Sequence, residues 1–196
     1  MRKKRLVIGI SGASGVVYGI RMLEVLADAG NRQSGTEIET HLIISRAARL
    51  IIGYETERTV AQIEGLADRA YAPDDLMAPI ASGSFATDGM VIAPCSIKTL
   101  SAIVNSYAAD LMSRAADVVL KEGRPLVLVV RETPLHVGHL RLMTRAAEIG
   151  AVVFPPVPAF YGHPQTVEEI VDGTVGRVLA RLGVDNALYT QWKGGR

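Results

Sequence analysis

The chain has 196 residues, of which 48% are hydrophobic and 21% are charged, and its formal net charge is +1. This length suits one domain with a sizeable core, and the composition is typical of a globular protein, which excludes a largely disordered one. The near-neutral charge gives no basis for binding nucleic acid or an anionic membrane, so any bound anion must be held by a few local groups.

The N-terminus carries a basic segment, residues 1–5, followed by an apolar run at residues 6–10. This order resembles the start of a secretory signal peptide, but the run is too short and ends at Ser11 and Gly12. We therefore predict a buried first strand. No segment approaches the roughly 20 apolar residues of a membrane-spanning helix, so no membrane association is expected.

Apolar runs of strand length alternate with helical patterns along the chain. In chain order we predict a strand at 6–10, a helix at 16–29, a strand at 39–44, an alanine-rich helix, a strand at 89–93 stopped by Pro94, a helix through 117–121, a strand at 125–130, a helix at 136–149, a strand at 151–154 and a helix at 167–182. Strands rich in Val, Ile and Leu between helices predict one three-layer α/β domain, in which a doubly wound parallel sheet is covered on both faces. Its core spans about residues 5–184, and ligands are expected beyond the carboxyl ends of the strands.

The turn after the first strand contains Gly9, Gly12 and Gly15 in the spacing G-x-x-G-x-x-G. Glycines let the backbone approach a phosphate, and the helix that follows offers free N–H groups. The spacing differs from the dinucleotide motif G-x-G-x-x-G. We predict that the turn at residues 12–15 holds a phosphate-bearing ligand, the alternative being a tight turn without a ligand.

The second strand is followed by Ser45 and Arg46. An NAD-binding protein of this class has an acidic residue there, which binds the ribose 2′-hydroxyl, so the sequence argues against NAD. Arg46 would suit a 2′-phosphate, which keeps an NADP-dependent reductase as an alternative.

The strand at 89–93 leads into Cys95 and Ser96. Ser96 is a good helix N-cap, and with Thr99 it would present hydroxyl and N–H groups at the edge of the sheet, although capping alone is the alternative. As the single cysteine, Cys95 excludes an intramolecular disulfide and favours a cytoplasmic setting. We expect Cys95 to pack in the core, because no acid–base partner lies near it in sequence.

The strand at 125–130 is followed by Arg131 and Glu132, which would supply an anion ligand and a general acid or base. The alternative is a mutual salt bridge that orients the loop. His136 and His139 are interpreted as structural or interfacial, because two histidines without a third ligand make a poor metal site.

Taken together, these motifs resemble the UbiX-type flavin prenyltransferases, many of which were earlier labelled aromatic-acid decarboxylases. The resemblance runs from Arg5 to Trp192, and its matching stretches are 12–15, 45–48, 82–85, 94–99, 114–122, 131–135, 158–161 and Arg177. It implies a flavodoxin-like, Rossmann-like fold. It also implies a metal-independent enzyme that joins a dimethylallyl group from dimethylallyl monophosphate to N5 and C6 of reduced FMN.

The resemblance further implies a dodecamer with active sites between subunits. Prenylated FMN would be delivered to a UbiD-type decarboxylase, in ubiquinone biosynthesis for many bacteria.

Residue roles follow from the resemblance by matching position. FMN would contact Gly12, Ala13, Ser14, Ser45, Ser96, Ile97, Lys98, Thr99 and Arg131. The prenyl phosphate would be held by Lys121, Tyr161 and Arg177, with Arg114 reaching in from a neighbouring subunit. Glu132 would transfer protons at the flavin with help from Ser14. The prenyl pocket would be lined by Phe85, Tyr161 and Trp192.

Two segments are expected to affect assembly. The connection at 31–37 is longer than is usual in the family, and we expect it to alter subunit packing and not the chemistry. The tail at 185–196 is expected to pack on a neighbouring subunit.

The function hypotheses left open are a non-catalytic FMN-binding carrier subunit of a decarboxylase and the NADP-dependent reductase. A stand-alone decarboxylase is disfavoured, because no aromatic-acid site or separate electron sink is identifiable.

Overall fold

The centre of the molecule is a parallel β-sheet. The computed structural model describes residues 3–28, 37–192 and 194, and within them six strands pair in the order β3-β2-β1-β4-β5-β6. The strands are β1 Lys4–Ile10, β2 Ile38–Ile44, β3 Arg69–Tyr71, β4 Gly89–Cys95, β5 Leu126–Val130 and β6 Val152–Val153. All pairings are parallel. With the three-residue edge strand β3, this is the strand order of dinucleotide-binding proteins. Without β3, it is the strand order of flavodoxin. Both belong to the doubly wound α/β class, so the predicted fold class is confirmed.

Helices cover both faces of this sheet. They are α1 Val16–Ala27, α2 Arg46–Glu55, α3 Val60–Glu64, α4 Ile97–Val104, α5 Leu111–Lys121, α6 Val137–Glu148 and α7 Val167–Arg181. Side chains of α1, α2, α3 and α7 pack on one face, and those of α4, α5 and α6 pack on the other. In the described residues, no helix combines the length and the apolar character needed to cross a membrane.

The strand order reverses between β1 and β4. The loops after these two strands leave the sheet in opposite directions, and this opens a crevice at their carboxyl ends where ligands of such folds bind. The candidate residues that follow β1, β2, β4 and β5 all lie at this edge.

Several sequence predictions are corrected by the structure. Pro94 does not stop β4, which continues to Cys95. The register with β5 shifts between Ile92 and Cys95, and a proline is tolerated at such an irregularity because no ladder N–H is required of it. The sequence prediction also missed α3, β3 and two short 3-10 turns, at Pro79–Ala81 and Phe160–Gly162. The first helix ends at Ala27, and residues 31–36 of the long connection lie outside the described residues.

Helix α1 lies directly on the sheet at Gly19. A Cβ atom at this position would be 2.3 Å from the carbonyl oxygen of Ala93 and 2.7 Å from Cγ1 of Ile10. We expect Gly19→Ala to lower the free energy of unfolding by about 3 kcal/mol, because overpacking against backbone exceeds the gain in helix propensity of about 1 kcal/mol. Urea unfolding at fixed protomer concentration measures this difference.

The chain offers a matched control at Gly53, in α2. A Cβ atom there would have no neighbour within 4 Å, so Gly53→Ala should stabilise the protein by about 0.5–1 kcal/mol. Equal stability of the Gly19→Ala variant and the unchanged protein would contradict the close approach of α1.

Candidate active site

Backbone hydrogen bonds hold the ends of neighbouring strands together at the carboxyl edge. The amide of Ser45 donates to the carbonyl of Ile10 at 3.0 Å, and the amide of Arg131 donates to the carbonyl of Cys95 at 3.1 Å. The turn after β1 therefore lies between the start of α2 and the loop after β4. This arrangement brings together the candidate residues Gly12, Ala13, Ser14, Ser45, Ser96, Ile97, Lys98, Thr99, Arg131 and Glu132.

The start of α4 is suited to bind an anion. Ser96 is the N-cap, and its hydroxyl accepts from the amide of Thr99 at 3.2 Å and lies 3.0 Å from Oγ1 of Thr99. The next amides, of Ile97 and Lys98, have no intrahelical acceptor at these positions. They combine with the positive end of the helix dipole and the exposed ammonium of Lys98. The predicted capping by Ser96 is confirmed.

The start of α1 is occupied by a carboxylate of the chain itself. Oε2 of Glu55 accepts from the amide of Gly15 at 2.8 Å and from the amide of Val16 at 3.1 Å. It also forms a hydrogen bond with the side chain of Ser14. Two amides at the start of α1 are thus already bonded within the chain, and the phosphate-bearing ligand expected at this turn stays a prediction.

The turn itself needs glycine at position 12. A Cβ atom there would lie 2.5 Å from Cβ of Ala47, in the first turn of α2. Gly15 has φ of 98°, in the left-handed region that favours glycine. These two residues hold the exposed side chain of Ser14 at the crevice.

Glu55 was missed by the sequence analysis. It lies 40 residues from Gly15 along the chain, and a contact at that separation leaves no spacing motif. One signal does exist, because Glu55 is the last residue of α2, and an acidic side chain is unfavourable at the C-terminal end of a helix.

The surroundings of Glu55 determine its titration. Burial raises its pKa, but the hydrogen bonds from Ser14, Gly15 and Val16 and the charge of Arg131 outweigh burial, and the net pKa lies below its ordinary value of 4.5. A carboxyl group whose pKa is lowered by folding stabilises the fold above its unfolded pKa, and that contribution is lost as the pH falls through the folded pKa.

We therefore expect Glu55→Gln to be less stable than the unchanged protein near pH 7, and we expect this difference to be smaller near pH 3, below the unfolded pKa. Thermal unfolding at several pH values and one protomer concentration measures this. Glu57→Gln, two residues further along and exposed, is the control and should show no such pH dependence. A stability difference that is the same at both pH values would contradict the assigned role of the charge.

Arg131 and Glu132 do not pair with each other. Among the described residues no ion pair involves Glu132, whose Oε1 accepts from the amide of Thr133 at 3.0 Å. The charge of Arg131 instead helps to lower the pKa of Glu55. The hypothesis of a mutual salt bridge is therefore wrong, and an exposed carboxylate remains at the crevice.

Three other candidates have structural roles. Cys95 is fully buried, and burial raises the pKa of its thiol to about 12, as a packing residue requires. The ring of His136 caps α6 by accepting from the amide of Gly138 at 2.9 Å, and it lies 3.6 Å from the ring of His139. In the described part of the chain, no three His, Cys, Asp or Glu residues are grouped to hold a metal ion.

The two cations of α5 lie at opposite ends of that helix, Arg114 in its first turn and Lys121 at its last residue. The first amide of α5, of Leu111, donates to the carbonyl of Pro73 just after β3, so α5 starts near the carboxyl edge. It therefore ends near the amino edge, with Lys121 five residues before the first residue of β5. Lys121 is paired with Glu122 at 2.6 Å. On the same helix Arg114 is paired with Asp117 at 3.2 Å, and its Nε donates to the carbonyl of Ala81.

The remaining substrate candidates gather around α7, on the opposite face of the sheet from α5. The rings of Tyr161 and Trp192 meet edge to face with centroids 5.6 Å apart. The guanidinium of Arg177 lies 5.8 Å from the ring centre of Tyr189, and with Tyr161 it lines a pocket of about 470 Å³. The tail residues 186–192 thus pack along their own α7, and a contact of the tail with a neighbouring subunit stays a prediction.

Phe85 does not join this group within the chain. Its ring lies 5.3 Å from the ring of His41, and the guanidinium of Arg5 lies 4.6 Å above it. Arg46, the candidate ligand of an NADP 2′-phosphate, forms an exposed ion pair with Asp74 at 2.9 Å.

The fold and its carboxyl edge define an α/β flavoprotein. The family model described as Flavoprotein matches residues 1–179. The flavin prenyltransferase UbiX of Escherichia coli K12 is 56% identical over 193 residues, which cover 97% of this chain and 99% of that protein. The chain belongs to the UbiX family of flavin prenyltransferases, and the resemblance read from the sequence is confirmed.

Two solved structures agree with this assignment. AnUbiX in complex with FMN and dimethylallyl pyrophosphate is 44% identical, with a TM-score of 0.92 over 100% of both chains. A dodecameric FMN-dependent UbiX-like decarboxylase from Escherichia coli O157:H7 is 45% identical, with a TM-score of 0.91 over 97% of this chain and 100% of that one.

Proposed function

We propose that this protein transfers a dimethylallyl group from dimethylallyl monophosphate to N5 and C6 of reduced FMN. The observation that carries the proposal is the crevice, where an open helix start, a glycine turn and an unpaired carboxylate meet in a chain of the UbiX family.

The phosphate of FMN is assigned to the start of α4. The amides of Ile97 and Lys98, the hydroxyls of Ser96 and Thr99 and the charge of Lys98 are donors of the kind a phosphate dianion requires. The turn at 12–14 and Ser45 lie across the crevice and would contact the rest of the flavin, with Arg131 at the neighbouring strand end.

The transfer breaks the bond between the allylic carbon and the phosphate oxygen. N5 would bond to that carbon and lose its proton as the phosphate leaves. The remaining prenyl double bond would then take up a proton and form the second bond with C6, and C6 would lose its own proton. Glu132 carries an exposed carboxylate next to Arg131 and is assigned to accept that proton. Ser14, bonded to Glu55, is assigned to assist proton transfer at the turn.

The leaving phosphate needs cations where its charge develops. Arg177 and Tyr161 lie around α7, whereas α5 on the opposite face carries Arg114 in its first turn and Lys121 at its far end, near the amino edge. We therefore infer that a working site combines groups from several copies of the chain, and we propose a dodecamer. Large exposed apolar side chains support association, and Tyr54 and Met77 are 91% and 93% exposed.

The product would be prenylated FMN, which we propose is passed to a UbiD-type decarboxylase, with ubiquinone biosynthesis as the pathway. A cytoplasmic location is proposed because the single cysteine is a free, buried thiol.

The test is anaerobic incubation of the purified protein with reduced FMN and dimethylallyl monophosphate. Mass spectrometry of the released flavin should show a product heavier by one prenyl unit. A parallel reaction with dimethylallyl diphosphate identifies the preferred donor. Unchanged flavin with both donors, beside an active prenyltransferase as positive control, would overturn the proposal.

The NADP-dependent reductase is tested by titration. FMN should bind and NADPH should not, because the chain belongs to the UbiX family of flavin prenyltransferases. Binding of NADPH with micromolar affinity would favour the reductase instead.

A further inference from the structure

Ser11 is a buried polar residue between the two loops that form the crevice. It follows β1 directly and is 0% exposed. Its hydroxyl donates to the carbonyl of Pro94 at 2.9 Å and accepts from the amide of Ser96 at 2.8 Å. Its own amide donates to the carbonyl of Pro94 at 3.2 Å, and its carbonyl accepts from the amide of Ala13 at 2.9 Å. The polar groups of Ser11 are thus used inside the chain, and the buried side chain is not placed to touch a ligand.

These hydrogen bonds take the place of ladder bonds between β1 and β4 that β4 cannot make at its proline. The pairing of β1 with β4 ends at Gly9 and Ile92. Two residues further, Pro94 has no N–H with which to continue the ladder. The hydroxyl of Ser11 continues the connection past the proline by bonding the carbonyl of Pro94 and the amide of Ser96.

The connection determines where α4 begins. Ser96 is the N-cap of α4, so the bond to its amide holds the first turn of that helix against the turn after β1. The other links at this edge, from Ser45 to Ile10 and from Arg131 to Cys95, join backbone to backbone and do not depend on a side chain. The link between the β1 and β4 loops has one backbone bond, from the amide of Ser11 to the carbonyl of Pro94, but its contact with the amide of Ser96 is made by the Ser11 side chain.

We infer that Ser11 is a positioning residue for the flavin. Its hydroxyl sets the spacing between the glycine turn at 12–14 and the amides at the start of α4 that receive the flavin phosphate. The inference rests on the proposed function, but the binding of oxidised FMN tests it separately from prenyl transfer.

The test compares Ser11→Val with Ser11→Thr, because valine and threonine have nearly the same shape and differ by the hydroxyl. Fluorescence titration should give a Kd for FMN about tenfold higher for Ser11→Val than for Ser11→Thr, because the valine leaves the Ser96 amide without its buried acceptor. In steady-state assays the KM for FMN should rise by a similar factor, with a smaller change in kcat. Ser11→Thr should restore values within about twofold of the unchanged protein.

Thr40→Val is the matched control for loss of a buried hydroxyl. Thr40 lies in the amino-terminal half of β2, and its Oγ1 is 2.9 Å from Oδ2 of Asp68. This variant should lose stability and keep its Kd for FMN. Equal FMN affinity of Ser11→Val and Ser11→Thr would overturn the inference, as would an equal rise in Kd for Thr40→Val.

If both variants at position 11 fail to fold, the unchanged protein still decides the question. Hydrogen exchange should show the amide of Ser96 protected in the absence of flavin. An unprotected amide at Ser96 would overturn the inference. Failure of the proposed function would give a different result. FMN binding by the variants would follow the expected pattern, but no prenylated product would form.

Discussion

Replacing Glu132 by glutamine should lower the rate of prenyl transfer about a hundredfold or more and leave the Kd for FMN within about twofold. The glutamine side chain keeps the shape and the acceptor that bonds the amide of Thr133, but it cannot take the proton released at C6. Because Glu132 is exposed and has no ion-pair partner among the described residues, its replacement should not weaken the fold. Single-turnover formation of prenylated FMN and titration with oxidised FMN measure the two quantities.

Glu148→Gln is the control for this change. Glu148 is an exposed residue at the end of α6, away from the crevice, and its replacement should leave both quantities unchanged. The same experiment separates the enzyme from the carrier hypothesis. A non-catalytic carrier with Glu132→Gln would still support its decarboxylase partner at the normal rate, and that result would contradict the catalytic assignment.

The sequence predicted the crevice well because of the way a parallel sheet is built. Each strand contributes its carboxyl end to one edge, so Ser14, Ser96 and Arg131 could be expected to lie together once the strands were recognised. Glu55 could not be predicted in this way. It reaches the edge from the far end of α2, through a packing arrangement that no local pattern encodes.

The course of β4 shows a second limit of local patterns. A proline usually ends a central strand, and the sequence prediction followed this rule at Pro94. In the structure the strand continues because Cys95 pairs with Val130 of β5, and hydrogen bonds with Ser11, just after β1, compensate on the other side for the proline. That compensation depends on a residue 83 positions away.

The substrate cations show a third limit. Arg114 and Lys121 were predicted as phosphate ligands by family resemblance, and the structure places α5 on the opposite face from α7, with Lys121 at the end remote from Ser14. The proposed site therefore combines parts of more than one chain, and mixed assemblies can show which parts act together.

Mixed assemblies of Lys121→Ala and Glu132→Gln chains should be more active than either variant alone. Each variant alone is expected to lose about a hundredfold in activity, through a missing phosphate ligand or a missing base. If the two side chains act in one site from different chains, random mixing in equal amounts should restore both native groups in about a quarter of the sites. Co-expression of the two chains with different affinity tags, followed by purification on both tags, provides the mixed protein.

The control for this experiment is a second mixture, in which the unchanged chain is combined with a chain that carries both substitutions. Sites shared between chains should again be intact in about a quarter of cases, whereas sites contained within one chain should be intact in about half. For sites within one chain, the first mixture should stay at the low activity of the single variants, because no chain carries both native side chains. The two mixtures thus give equal activities only if Lys121 serves the crevice of a neighbouring subunit, as its distance from Glu132 along the sheet requires.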